Sequence, residues 1–415
     1  MKRHSLDVFD PQTAALEHWA GSHAPGLCAH EDGDEPHPQT PPRPAWIEID
    51  LRTLKRNFEI INEARPLGLR LLSVVKDEAY GHGAFRVAQA ALRCGAAFLG
   101  LSTVEEAMNL RDRGVRARIL LLGDRCESEF PWCVAHDLTC CLSEAHSARV
   151  LGRLAAEAGE CVAVHMKINT GMNRYGIRWD EAASLAESIC ATEGLALEGV
   201  LSHFAQSDES DKTFAMVQLA RFDQACREMS GRGISFKLRH LCNSGGFLDL
   251  PEAHFDMVRT GILPLGVYPS SVCRRLAGLE PVMTVKARLA ATQKLQTGDT
   301  VGYGMRYTAP SPRRIAVLPI GYGDGFPRVR NQGFALVHGQ RAPIIGGVAM
   351  DAFAIDITGI PAAQPGDEAV LMGRQGGEEI SVHEVAKLKN SVSYDVLTGW
   401  RRRLPRIYLG HGTRL

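Results

Sequence analysis

The chain has 415 residues, 45% hydrophobic and 23% charged, with 47 basic side chains balanced by 47 acidic ones. A balanced charge disfavours a nucleic-acid partner, and no apolar run approaches the roughly 18 residues of a membrane helix. Eleven cysteines are too sparse for a disulfide scaffold and leave one unpaired, which points to reduced thiols and a cytoplasmic setting. The length calls for two domains and an appendage.

Residues 1–43 are rich in Pro, His and acidic side chains ("HAPGLCAHEDGDEPHPQTPPRP") and show no apolar periodicity, so they read as a flexible leader. From Trp46, "WIEID" alternates like a strand and leads into an amphipathic helix carrying Leu54, Phe58, Ile60 and Ile61. Eight short apolar runs follow, from "LLSVVK" at 71 to "FDMVRTGILPLG" at 255, each separated by a helical stretch. One of these stretches is "STVEEAMNLRDRG", with Ser102 or Thr103 as its N-cap and Gly114 as its stop. Strands apolar on both faces and alternating with helices predict an α/β fold, a parallel (β/α)8 TIM barrel, over 44–275. The strand at its start can join either unit. Around Cys126, Cys133 and Cys140 no histidine completes a zinc pattern, so no metal is expected. After about 276 the runs "VMTVKARLAATQKL", "RIAVLPIGY" and "AFAIDIT" are joined by Gly, Pro and Asp turns, predicting a mainly β C-terminal domain over 276–415.

Chemistry in such a barrel collects at the C-terminal ends of the strands. The polar residues ending these runs are Lys76, Lys167, Asn169, His203, Asn243, Ser244 and Arg259. Two lysines and an arginine desolvated together make a poor structural rim. A lysine in a dry cationic pocket has a depressed pKa and can attack an aldehyde or take a proton. Gly261 permits close approach to a ligand, and "NSGG" at 243–246 offers a hydroxyl and amides to a phosphate. Amine, phosphate cradle and arginine together suggest pyridoxal phosphate held as a Schiff base.

"VVKDEAYGHG" resembles the cofactor-lysine motif of the alanine racemases, a fold-type III pyridoxal phosphate family. So do "KINTGMNRYG", "LSHFA", "NSGG", "FDMVRTGI", "VGYGMRYTA", "LPIGYGDGFPR", "RAPIIGGVAMD", "GRQGGEEI" and "SYDVL", in the family's order over about residues 43–408. The resemblance implies that Lys76 carries pyridoxal 5'-phosphate and serves as the base on the D face. Tyr303, donated by the second subunit of a homodimer, would be the base on the L face, with His203 beside Arg259 to assist it. Arg259 would face the pyridine nitrogen. Tyr80, Ser244, Gly261, Ile262 and Tyr394 would hold the phosphate. Arg174 would bind the substrate carboxylate, supported by Lys167, a carbamylated lysine in many relatives. Met350 and Asp351 would reach the substrate from the partner chain. Implied with these roles are interconversion of L- and D-alanine by two bases, a supply of D-alanine for peptidoglycan, and shared active sites.

Several positions depart from the family's commonest pattern. Asn169 replaces an aspartate, Thr260 and Pro264 interrupt "R-P-G-I-A-L-Y-G", Ala349 replaces a cysteine, and Gly347 replaces a basic residue. These lie around the substrate, so a racemase of serine or a larger amino acid is the alternative. A fold-type III decarboxylase, which usually carries a cysteine and a glutamate-bearing glycine loop, fits Tyr303 and Arg259 less well.

Overall fold

The computed structural model describes residues 43–410. The leader expected over 1–43 therefore lies outside the described residues, except for Arg43. That side chain donates to the buried Asp324 carboxylate at 2.9 Å and to the Pro319 carbonyl at 3.0 Å.

β1 (Ala45–Asp50) belongs to the second unit and not to the barrel. It pairs antiparallel with Met283–Arg288 and parallel with Arg406–Leu409, inside a ten-stranded sheet built otherwise from residues beyond 280. Its Ala45, Ile47 and Ile49 are fully buried, so alternation in "AWIEID" delivers one face to a core assembled far downstream. Asp50 then N-caps the helix Leu51–Ala64, accepting from the amides of Arg52 and Thr53. Asn57 of that helix is wholly buried. Its amide donates to Pro264 O at 3.0 Å and Glu280 O at 2.8 Å, and its oxygen accepts from Glu280 N at 3.1 Å. One side chain thus satisfies three backbone groups at the seam between barrel and β domain.

The barrel strands are β2 (Arg70–Val74), β3 (Phe98–Leu101), β4 (Ile119–Leu121), β5 (Thr139–Leu142) and β6 (Val162–Asn169). After a short side pairing, β7 (Ile177–Arg178), come β8 (Leu195–Leu201), β9 (Leu238–His240) and β10 (Met257–Thr260). All eight pair in parallel, in the order β10-β2-β3-β4-β5-β6-β8-β9. Backbone bonds Asp256 N to Arg239 O and Arg259 N to Cys242 O, both 3.0 Å, close the ring between β9 and β10. Leu72, Val74, Phe98, Leu120, Cys141, Leu201, Leu238 and Met257 fill the interior, while the alternate residues pack outward against the helices. Both faces of each strand are therefore dry, the reason these runs read as continuously apolar. Thr103 caps the helix Val104–Asp112 in a full capping box with Glu106, and Gly114 follows it at φ +83°. No helix among the described residues is long and apolar enough to cross a membrane.

Candidate active site

Lys76 stands where β2 ends, and the four residues after it are folded left-handed. Asp77, Glu78, Ala79 and Tyr80 have φ between 50° and 54°, a conformation that costs L-residues roughly 1–2 kcal/mol each. Glu78 accepts from Ala84 N at 3.1 Å, at the start of the next helix, and Asp77 presents its own amide to the Glu106 carboxylate. Buried His82 ties the turn together: its Nδ1 lies 3.1 Å from Ala79 O and 2.9 Å from Tyr80 O. Burial pulls its pKa down to about 4, so the ring is neutral and Nδ1 carries the donated proton. The left-handed turn swings the Tyr80 ring back over Gly261, where an added Cβ would meet ring carbons at 2.9 Å.

These residues line a cavity of about 490 Å³ at the C-terminal end of the barrel. Lys76, Tyr80, Lys167, Arg174, His203, Ser244, Arg259, Gly261, Ile262 and Tyr394 all contribute to it. Ser244 Oγ accepts from Gly261 N at 3.2 Å, and the Tyr80 and Tyr394 rings approach to 6.0 Å, so three hydroxyls and a glycine turn share one end. Arg259, only 3% exposed, donates through Nη1 to His240 O (2.9 Å) and His240 Nδ1 (3.1 Å). Its Nη2 donates to Ser202 O (2.8 Å), His203 Nδ1 (2.9 Å) and Leu241 O (3.1 Å). Nε is the one nitrogen of the group without a hydrogen-bond partner among the described residues.

The electrostatics follow from this crowding of cations. Burial, then Arg174, lowers the Lys76 amine, against opposing pulls from Glu106 and Asp77. Burial followed by Arg259 brings Lys167 down to about 7. His203 is held well below its usual range by burial and then by Arg259, and an arginine donor on its Nδ1 leaves the proton on Nε2. Lys167 is thereby partly neutral near physiological pH, and the Lys76 amine gives up its proton more readily than a free lysine.

Three expected site residues are not in this cavity. Tyr303 is 83% exposed and Met350 51% exposed, and Asp351 is engaged by Arg403 at 2.5 Å. Tyr303 lines a second cavity of about 520 Å³ on the β domain, with Tyr322, Arg328, Arg330, Gly347 and Ala349. Conversely, Arg125 and Tyr175 line the barrel cavity without having been singled out, as does Ser102, named above only as a candidate N-cap. Arg125 lies four residues past the end of β4, so extending the rule of strand ends into the following loop could have found it. The neighbour of Arg259 that escaped notice, His240, looked like one more residue of an apolar strand.

Residues 49–269 match the model of the alanine racemase N-terminal domain, and 282–408 that of the alanine racemase C-terminal domain. The chain belongs to the alanine racemase family. Alanine racemases from Syntrophobacter fumaroxidans and Desulfosudis oleivorans are 41% and 40% identical to it. These alignments cover 85% and 88% of this chain and 94% and 96% of the relatives. Among solved structures, the alanine racemase of Clostridium difficile 630 superposes with a TM-score of 0.85 at 29% identity, covering 89% of this chain and 97% of that one. A histidine racemase from Leuconostoc mesenteroides superposes at 0.81 with 27% identity, covering 89% and 99%. The alanine racemase family is one of amino-acid isomerases, and the decarboxylase alternative is not favoured. If the close approach of Tyr80 to Gly261 shapes a phosphate seat, Gly261→Ala weakens pyridoxal phosphate binding at least about tenfold. Fluorescence titration measures this, and an unchanged Kd rules the seat out.

Proposed function

We propose that the barrel cavity binds pyridoxal 5'-phosphate on Lys76 and interconverts L- and D-alanine, with Tyr303 of a second copy of the chain completing the site. The observation that carries this reading is Arg259, whose Nε has no partner among the described residues, lining the same cavity as a lysine of depressed pKa. Arg259 would hold the cofactor's ring nitrogen through the Nε that lacks an acceptor, and Ser244, Tyr80, Tyr394 and the turn at Gly261 and Ile262 would hold its phosphate. When bound, the cofactor withdraws electrons from the α-carbon and so acidifies its hydrogen.

The chain's own residues do the rest. Arg174 holds the substrate carboxylate. Lys76, freed as an amine, takes or returns the α-proton on the D face. Tyr303 does so on the L face, one proton leaving as another arrives, so the substrate need not turn over. A tyrosine with an ordinary pKa near 10 is a weak base; a donor at His203 Nε2 steadies its oxygen when the proton is gone. Arg259 remains a donor and leaves the ring nitrogen unprotonated, which restrains side reactions. Met350 and Asp351 close the site from the partner chain. With an amine near neutrality between two arginines, Lys167 favours carbamylation, which places an anion beside Arg174. We further read the homodimer as working in the cytoplasm and supplying D-alanine for peptidoglycan. Assay of D product from a panel of L-amino acids tests the substrate: alanine should lead, and a clear preference for another amino acid overturns the reading.

Borohydride treatment of the yellow holoenzyme should fix the cofactor to Lys76; label on another lysine, or a colourless protein, defeats the assignment. With 13C-bicarbonate a carbamate resonance should appear and vanish in Lys167→Met; its absence from the wild type refutes carbamylation. Tyr303→Phe should abolish proton removal from L-alanine while D-alanine still exchanges its α-proton slowly with deuterated solvent. Mixed with inactive Lys76→Ala chains it should regain activity through one hybrid site holding both bases. Hybrid dimers that stay inactive would disprove the shared site.

A further inference from the structure

Arg259 is a fully buried cation that no carboxylate touches among the described residues. Around it stand Lys167, His203 and the thiols of Cys141 and Cys242, none of them an anion, since burial raises both thiols. Yet a line of buried polar groups runs from it down the barrel interior. Arg259 Nη1 meets His240 Nδ1 at 3.1 Å, His240 Nε2 meets His165 Nδ1 at 2.8 Å, and His165 Nε2 meets Glu198 Oε2 at 3.2 Å. Both histidines are 0% exposed. Glu198, its side chain 12% exposed, is bound on its outer side by Arg118. Gly199 makes room for the line, since a Cβ there would lie 3.0 Å from His165 Cε1.

The proton positions can be solved from either end. Arginine only donates, so His240 Nδ1 must accept and its Nε2 must carry hydrogen. An ionised carboxylate only accepts, so His165 Nε2 must carry hydrogen and its Nδ1 must accept. The two deductions meet at the His240–His165 contact without conflict. Reversing either ring sets two donors or two acceptors face to face. Desolvation alone would raise the Glu198 carboxyl, but the hydrogen bonds from His165 and Arg118 outweigh it and bring it to about 2. Burial pushes both histidines below their usual range, and burial lowers Arg259 to about 10.

We propose that Glu198 is the remote counter-ion of Arg259, joined to it by the one-way chain Arg259–His240–His165–Glu198, and that these three partners are positioning residues that hold the guanidinium with Nε toward the cavity. A cation and an anion at the ends of a polarised line offset part of each other's desolvation. The link to a cofactor ring nitrogen rests on the function proposed above; the chain itself does not.

The test uses the full-length protein labelled with 15N-histidine, as apoenzyme and after adding pyridoxal phosphate. Side-chain 15N–1H correlation spectra should show His165 and His240 as neutral Nε2–H rings from mildly acidic to alkaline pH. Glu198→Gln keeps the shape and removes the anion. It should move the nitrogen signals of both histidines, shift the absorption band of bound pyridoxal phosphate, and lower kcat/KM about tenfold. His165→Gln, which restores one donor and one acceptor in the same order, should recover the wild-type band, and His165→Leu should not. The proposal is overturned if either histidine is cationic or Nδ1–H near neutral pH, or if Glu198→Gln leaves the His240 signals unmoved. A fall in kcat/KM without a shifted band overturns the positioning role. Should pyridoxal phosphate fail to bind, the cofactor reading falls while the apoenzyme spectra still decide the chain.

Discussion

A guanidinium buried at the mouth of a parallel barrel has to be surrounded by acceptors, and most of the site's properties follow from how Arg259 meets that demand. Its two terminal nitrogens gather the carbonyls of Ser202, His240 and Leu241, just where β8 and β9 end. The loops that carry His203, Asn243 and Ser244 are therefore tied to one planar group. The cost of desolvating a permanent cation is offset by three carbonyl dipoles and two neutral imidazoles. Its field also acts on everything nearby, lowering the neighbouring histidines and Lys167. A lysine at position 259 would supply the charge but not the planar fork.

The distribution of chemistry over the chain is uneven. The barrel supplies an amine, an arginine, hydroxyls and a glycine turn on one side of a single cavity. Tyr303, Met305 and Met350 sit exposed on the β domain, outside the barrel cavity. Large apolar side chains left in water mark surfaces that meet something else. In the proposed two-base reading the bases approach the α-carbon from opposite faces, and the barrel cavity holds only the lysine of that pair.

Much of this was legible in the sequence because the relevant signals were local. The eight barrel strands announced themselves as short apolar runs, and the polar residue at each run's end marked the cavity, as with Lys76, Lys167 and Arg259. β1 was ambiguous because its partners lie more than 230 positions away, and alternation reports burial without naming the neighbour. The left-handed turn was hidden because Asp77, Glu78, Ala79 and Tyr80 include no glycine or asparagine to advertise it. His165, His240 and Glu198 each look unremarkable alone, and only the barrel's closure brings them into one line. Tyr303 could be assigned a role by resemblance, whereas nothing in its own surroundings along the chain indicates one.

The turn after Lys76 also bears on how the two units depend on each other. Four residues held in a disfavoured conformation store several kilocalories that the barrel alone does not return. The contacts opposing that strain come largely from the other unit: Leu397 O packs against Gly81, Tyr394 lies beside Tyr80, and Arg406 Nε donates to Gly81 O at 2.8 Å. The amine is thus aimed by segments more than 300 residues downstream. The geometry of this site is therefore a property of the whole assembled chain, since both units hold the turn that follows the lysine.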